Sequence, residues 1–146
     1  MYKNPKTTTD IIVEKDGKIL LVLRGAEPHK GRLALPGGYV DFGENVESAA
    51  VREAKEETGL EVKLKCILGV YSDPKREPNY PKYYCATTIF IAEVTGGELK
   101  AGDDAKEVSF HEINGLKKEE IAFDHYKIIQ DYLKWKEDGG TYWSSK

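Results

Sequence analysis

Cysteine is scarce in this sequence, with two residues, Cys66 and Cys85, among 146. Two thiols are too few for a disulfide framework. Both fall in runs of strand-like composition, so buried free thiols are expected, with a single bridge as the alternative. Long apolar runs are also missing. No stretch approaches the length of a membrane span, and the polar segment Met1–Asp10 lacks the apolar stretch of a secretory signal. Charge of one sign is not in excess either. The 22 Lys and Arg face 25 Asp and Glu, a net charge of −3, which leaves no electrostatic footprint for duplex nucleic acid. The expectation is a cytoplasmic protein without a membrane or nucleic-acid duplex partner. A Walker phosphate loop, an H-E-x-x-H zinc pair, paired C-x-x-C motifs and a nucleophile elbow are absent too.

What remains is ordinary globular composition, 40% hydrophobic and 32% charged, in a length that suits one domain. Residues 1–140 read as that domain and 141–146 as a loose tail. Thr7 to Glu14 and Lys18 to Leu23 predict a strand pair around the turn Lys15-Asp16-Gly17. A loop follows to Leu33, then Leu35-Pro36-Gly37-Gly38, whose adjacent glycines imply an unusual backbone path. A helix is expected over Val46–Thr58, with Asn45 as N-cap and Gly59 as its left-handed terminator. Strands are expected over Val62–Tyr71, Tyr83–Thr95 and Glu107–Ile113, and a second helix over Lys117–Glu137. The order is that of a mixed α/β domain.

The first helix carries the chemistry. At 100° per residue Val46, Ala49, Ala50, Glu53 and Glu57 share one stripe, with Glu56 at its margin. The stripe begins apolar, then turns acidic where the core should continue. Glu53 and Glu57 are like charges at i,i+4, and all three acids lie at the helix end that favours cations. Violations that line up on one face indicate a functional site. A divalent cation removes the conflict, because glutamate oxygens are hard ligands that suit Mg²⁺, with Mn²⁺ as a substitute. Such an ion serves attack of water on phosphorus. The alternative is a solvated face on which Arg52 and Lys55 balance the acids.

From Gly38 the sequence continues through five residues to Glu44, seven more to Arg52-Glu53-Ala54, then Lys55-Glu56-Glu57-Thr58-Gly59-Leu60. This resembles the Nudix box, G-x5-E-x7-R-E-U-x-E-E-x-G-U. Seven fixed positions match, against a chance of about 10⁻⁸ per start position, which outweighs the solvated-face alternative. The resemblance implies a Nudix-type α/β/α sandwich with a mixed β-sheet and hydrolysis of a phosphoanhydride in a nucleotide derivative. It further implies that Glu53, Glu56 and Glu57 bind metal with the Gly38 carbonyl, that Glu44 supports them and that Arg52 orients a glutamate. For the general base Glu53 comes first, and Asp103, Asp104 or Glu107 second. A homodimer, usual in the family, is the implied assembly, with the apolar N-terminal strands as a candidate face.

Val70-Tyr71-Ser72-Asp73-Pro74 and Ala122-Phe123-Asp124-His125 resemble segments of ADP-ribose pyrophosphatases. Leu33 and Glu77-Pro78-Asn79 depart from that pattern. ADP-ribose is therefore the preferred substrate, with a nucleoside triphosphate such as 8-oxo-dGTP as rival and a non-catalytic nucleotide sensor as the third reading. His125 is expected to pack a helix, and Tyr71, Tyr80, Tyr83 and Tyr84 are candidates to stack on a base.

Overall fold

The computed structural model describes residues 3–102 and 104–146. Strands β1 (Lys6–Lys15) and β2 (Lys18–Arg24) form the expected hairpin. Asp16 and Gly17 both take positive φ, 52° and 77°, as a tight two-residue turn between right-twisted strands requires. Short strands β3 (Leu33–Ala34) and β4 (Gly37–Tyr39) follow, then helix α1 (Val46–Thr58). The Asn45 side chain accepts the Ser48 N–H at 2.8 Å, and Gly59 ends the helix at φ 76°. The remaining strands are β5 (Leu60–Tyr71), β6 (Cys85–Gly97) and β7 (Ala105–Glu112), and after them helix α2 (His125–Asp138) and strand β8 (Tyr142–Trp143).

The sheet path is β3-β2-β1-β6-β5-β8, with β4 added to β1 and β7 to β2. β1 and β6 run parallel, as do β5 and β8, while the other pairs are antiparallel. The expected mixed sheet is thus present. Alternation along β1 divides the core. Ile12 joins Ile128 and Ile129 of α2 in one cluster, while Ile11 and Val13 join Ala50 and Ala54 of α1 in the other. Both faces of the sheet are covered, one helix to each. The apolar residues of the first strand are committed inside the molecule, with Ile11, Ile12 and Val13 at most 1% exposed.

Three expectations need correction. The second helix begins eight residues later than its apolar spacing suggested, because residues 118–120 form a short 3-10 turn and Ile121 pairs in extended form with Leu33. The Ala122 N–H then donates to the Leu33 carbonyl at 2.7 Å, which takes the backbone groups a helix would need. The C-terminal residues are not a loose tail. Tyr142 is buried and pairs with Gly69, where any side chain would collide with the Tyr142 carbonyl. Ser144 Oγ accepts the N–H groups of Ser72 and Asp73 at 2.9 and 3.1 Å. Cys66 and Cys85 are free, and each is half-buried rather than fully buried. Among the described residues no helix is long and apolar enough to cross a membrane.

Candidate functional site

β4 and α1 bring the glycine pair against the glutamates. A Cβ on Gly38 would stand 2.6 Å from the Glu53 carboxyl carbon, so any larger residue would push that carboxylate aside. The Gly37 N–H donates to Glu57 Oε2 at 3.0 Å. Burial raises the Glu57 pKa to about 8, assisted by the negative charges of Glu53 and Asp10 and opposed by the Gly37 hydrogen bond. Glu53 is raised as well, first by burial, while Arg52 pulls the other way. Beneath them Thr9, which pairs with Gly38, keeps a buried hydroxyl without a hydrogen-bond partner.

Arg52 is the hub of the outer side. Its Nε and Nη2 donate to the two oxygens of Glu44 at 2.8 and 3.0 Å. Nη1 donates to Glu53 at 2.9 Å and to Glu56 at 3.1 Å, and Nη2 also reaches the Tyr39 carbonyl at 3.0 Å. Arg52 and the Asp41 N–H together lower the Glu44 pKa to about 2. A planar fork with five donors can grip one carboxylate at two points while reaching two more, which the single nitrogen of lysine cannot do.

The three box glutamates are brought together only in part. Glu53 and Glu57 face β4, but Glu56 is 59% exposed at its side chain and turned toward Arg52, four residues earlier. Among the described residues no three carboxylate, imidazole or thiol groups converge closely enough to hold an ion. A cation still fits the donor set: two desolvated carboxylates of like charge lie side by side against a glycine strand, and added positive charge relieves both. Of the second-choice bases, Asp103 lies outside the described residues. Asp104 and Glu107 are exposed. Their loop docks on the last turn of α1, where the Gly102 N–H donates to the Glu57 carbonyl at 3.0 Å.

From Glu57 and Gly37 a cavity of about 300 Å³ opens between β1, the loop after β5 and the start of α2. Its aromatic side is built from Tyr83, Tyr84 and Phe123. Phe123 takes φ 54°, unusual for so bulky a residue. Its ring lies 4.8 Å from the Arg24 guanidinium and 4.8 Å from the His29 ring. Arg76 fastens the loop after β5 to α2 through a two-point pair with Asp124 at 2.7 and 2.9 Å. It also donates to Thr87 Oγ1 at 2.7 Å, so its fork is spent within the wall. His125 does more than pack a helix. Its Nδ1 accepts the Leu35 N–H at 3.0 Å, and its Nε2 stands 3.3 Å from Asp10 Oδ2.

Sequence reasoning missed Asp10, Arg76 and Arg24. The one available signal was Asp10, an acid at the head of the apolar run Ile11-Ile12-Val13. Tyr71, a stacking candidate, is a core residue whose hydroxyl donates to Asp131 at 2.8 Å. Tyr80 packs on His29 at 5.7 Å.

Residues 4–132 match the family model described as the NUDIX domain. The chain belongs to the Nudix family. As a Nudix protein it is a pyrophosphohydrolase. It is 55% identical over 136 residues to an ADP-ribose pyrophosphatase of Methanocaldococcus jannaschii, covering 93% of this chain and 78% of that one. A crystal structure of a Nudix hydrolase from Nitrosomonas europaea superposes with a TM-score of 0.81 at 25% identity, over 98% of this chain and 78% of that one. A bifunctional NMN adenylyltransferase/ADP-ribose pyrophosphatase from Francisella tularensis matches with a TM-score of 0.79 at 27% identity. The match covers 96% of this chain but only 43% of the longer protein. Nudix enzymes in general use divalent metals.

Proposed function

We propose that this Nudix enzyme hydrolyses the pyrophosphate bond of ADP-ribose, releasing AMP and ribose 5-phosphate, with Mg²⁺ as its cation and Mn²⁺ as a substitute. The observation that carries the reading is the continuity of two features. The desolvated Glu57 and the Gly37-Gly38 strand line a nucleotide-sized cavity that Tyr83, Tyr84 and Phe123 line as well. The M. jannaschii relative supports the choice of ADP-ribose.

In this reading one domain carries the whole reaction. Glu53, Glu56 and Glu57, with the Gly38 carbonyl, would hold the cation, which would neutralise the substrate diphosphate and supply a water acidic enough to attack near neutral pH. Arg52, fixed by Glu44, keeps the Glu53 carboxylate turned toward the site. The Gly37 N–H fixes one oxygen of Glu57 and leaves the other free. Glu53 accepts the proton of the attacking water as general base. Asp103, Asp104 and Glu107 are the alternative acceptors, tested by single amide substitutions. The two unpaired thiols fit a cytoplasmic address.

The test is a product screen by chromatography with ADP-ribose and 8-oxo-dGTP, each with Mg²⁺, with Mn²⁺ and with EDTA. Cleavage of ADP-ribose to AMP that stops in EDTA and returns with metal is expected. Turnover of the triphosphate alone removes ADP-ribose as substrate. Full activity in chelator removes the cation, and binding without turnover of any nucleotide supports a sensor instead.

A further inference from the structure

Asp10 stands apart from the other carboxylates around the cavity. Asp124 accepts two N–H groups of Arg76, Glu77 meets His29 at 3.0 Å, and Glu57 accepts from Gly37. Asp10 is only 9% exposed, yet no described residue donates a well-aligned hydrogen bond to it. Its one close polar partner among the described side chains is His125 Nε2, at 3.3 Å from Oδ2, while Glu57 and Arg76 act on it through their charges. That nitrogen carries the ring proton, because Nδ1 is occupied in accepting the Leu35 N–H. The other oxygen, Oδ1, lies against Gly37, where a Cβ would strike it. A carboxylate withdrawn from water and left short of donors is costly. Structures retain such groups where a ligand completes them.

The surroundings define the donor. The cavity that Asp10 lines is also lined by Val22, Ala34 and Leu35, with Phe123 packed on Val22 and Ala34, and by Tyr83 and Tyr84. These walls suit the flat faces of a heteroaromatic ring, and such a ring must present an N–H edge to a carboxylate that only accepts. Resting on the ADP-ribose reading above, we propose that Asp10, held by His125, is the residue that selects the substrate base by accepting a hydrogen bond from its amino group.

The experiment is a double-mutant cycle in which substrate and enzyme each lose one partner. kcat/KM is measured on ADP-ribose and on the analogue with hydrogen in place of the adenine amino group. Wild type is compared with Asp10→Asn and with the near-isosteric Asp10→Leu, and melting temperatures verify that each variant folds. Deleting the amino group should cost wild type about 10- to 100-fold, the scale of a hydrogen bond to a charged group. The penalty should shrink in Asp10→Asn and vanish in Asp10→Leu.

An equal penalty in all three enzymes overturns the proposal. So does a penalty that couples instead to a 2′- or 3′-deoxyribose analogue, which would make the sugar the donor. A uniform loss on every substrate, with a shifted Mg²⁺ half-saturation, would assign Asp10 to the cation and overturn it as well. Should wild type cleave triphosphates and ignore ADP-ribose, the substrate reading fails on its own. ATP and its amino-free analogue then test Asp10 in the same way.

Discussion

Asp131 on α2 and Glu57 on α1 are both withdrawn from water, on opposite faces of one sheet, and their surroundings offer a carboxylate very different things. Asp131, 1% exposed, receives the Tyr71 hydroxyl at 2.8 Å and Lys127 Nζ at 2.7 Å, with Lys134 at 3.8 Å. Glu57 receives one backbone N–H and has Glu53 and Asp10 as neighbours. A carboxylate that serves the fold is surrounded by donors and cations. One that serves a reaction is left incomplete, and its protein gives up stability for that. The contrast predicts that substitutions on α1 separate activity from stability, while substitutions around Asp131 change stability alone.

The largest effect is expected for Glu53→Gln, which should lower kcat by about two to three orders of magnitude, the scale of removing one preorganised electrostatic group. Folding should be unharmed, since a like-charge neighbour of Glu57 disappears. An unchanged kcat would return Glu53 to the class of Asp131, a carboxylate without a part in the reaction. Arg52→Lys should come next, with kcat lower by about 10- to 100-fold. Lysine keeps the charge but cannot hold Glu44, Glu53 and Glu56 together. Its effect should fall on kcat more than on KM, because Arg52 lies outside the cavity walls. Equal kinetics for arginine and lysine would show that charge, and not the fork, is what matters.

The fold was legible where local rules act without competition. The turn at Asp16-Gly17, the caps of α1 and the succession of long strands along the chain follow from residue type at short range. The start of α2 was not legible. Ile121 has helical spacing to His125 and Ile128, but Leu33, 88 residues earlier in the chain, claims its backbone. The C-terminus was misread for a similar reason, since Thr141 to Lys146 carries no strong strand signal and is ordered by β5. In the site, the α1 glutamates were visible because they break a periodicity. Asp10 and Arg76 were not, because a lone acid in a strand and a lone arginine in a loop acquire meaning only from partners far along the chain. Glu56 was read at the margin of that face, and its i,i+4 relation to Arg52 draws it outward.

A thermodynamic prediction separates Glu57 from Asp131 without any substrate. The folded-state pKa of Glu57, about 8, lies above the ordinary carboxylate value of 4.5, so the folded chain binds a proton there more tightly than the unfolded chain does. Stability from this group is then fully present below about pH 4.5 and is lost as pH rises toward 8. In metal-free protein Glu57→Gln should match wild type near pH 4.5 and exceed it at pH 8. The gain should be about 1–3 kcal/mol, or roughly 3–10 °C in melting temperature. Parallel melting curves at the two pH values would mean that Glu57 is as well compensated as Asp131.

The smallest effect is expected at the satisfied acid itself. Tyr71→Phe removes one donor from Asp131 and leaves Lys127 in place, so the cost should be about 1–2 kcal/mol, the worth of one hydrogen bond to a charged group. Its ring packs in the α2-side core and does not line the cavity, so kcat and KM for the nucleotide substrate should stay within about twofold of wild type. Urea unfolding monitored alongside turnover reads both quantities. A drop in kcat at unchanged stability would contradict the division drawn between the two helices, because it would mean that the α2 network reaches the reaction after all. The path for such an effect is short: Arg76 donates to the Tyr71 carbonyl at 2.6 Å and to Asp124 in the cavity wall. The tyrosine hydroxyl points the other way, to Asp131, and the backbone carbonyl that Arg76 uses is unchanged in phenylalanine.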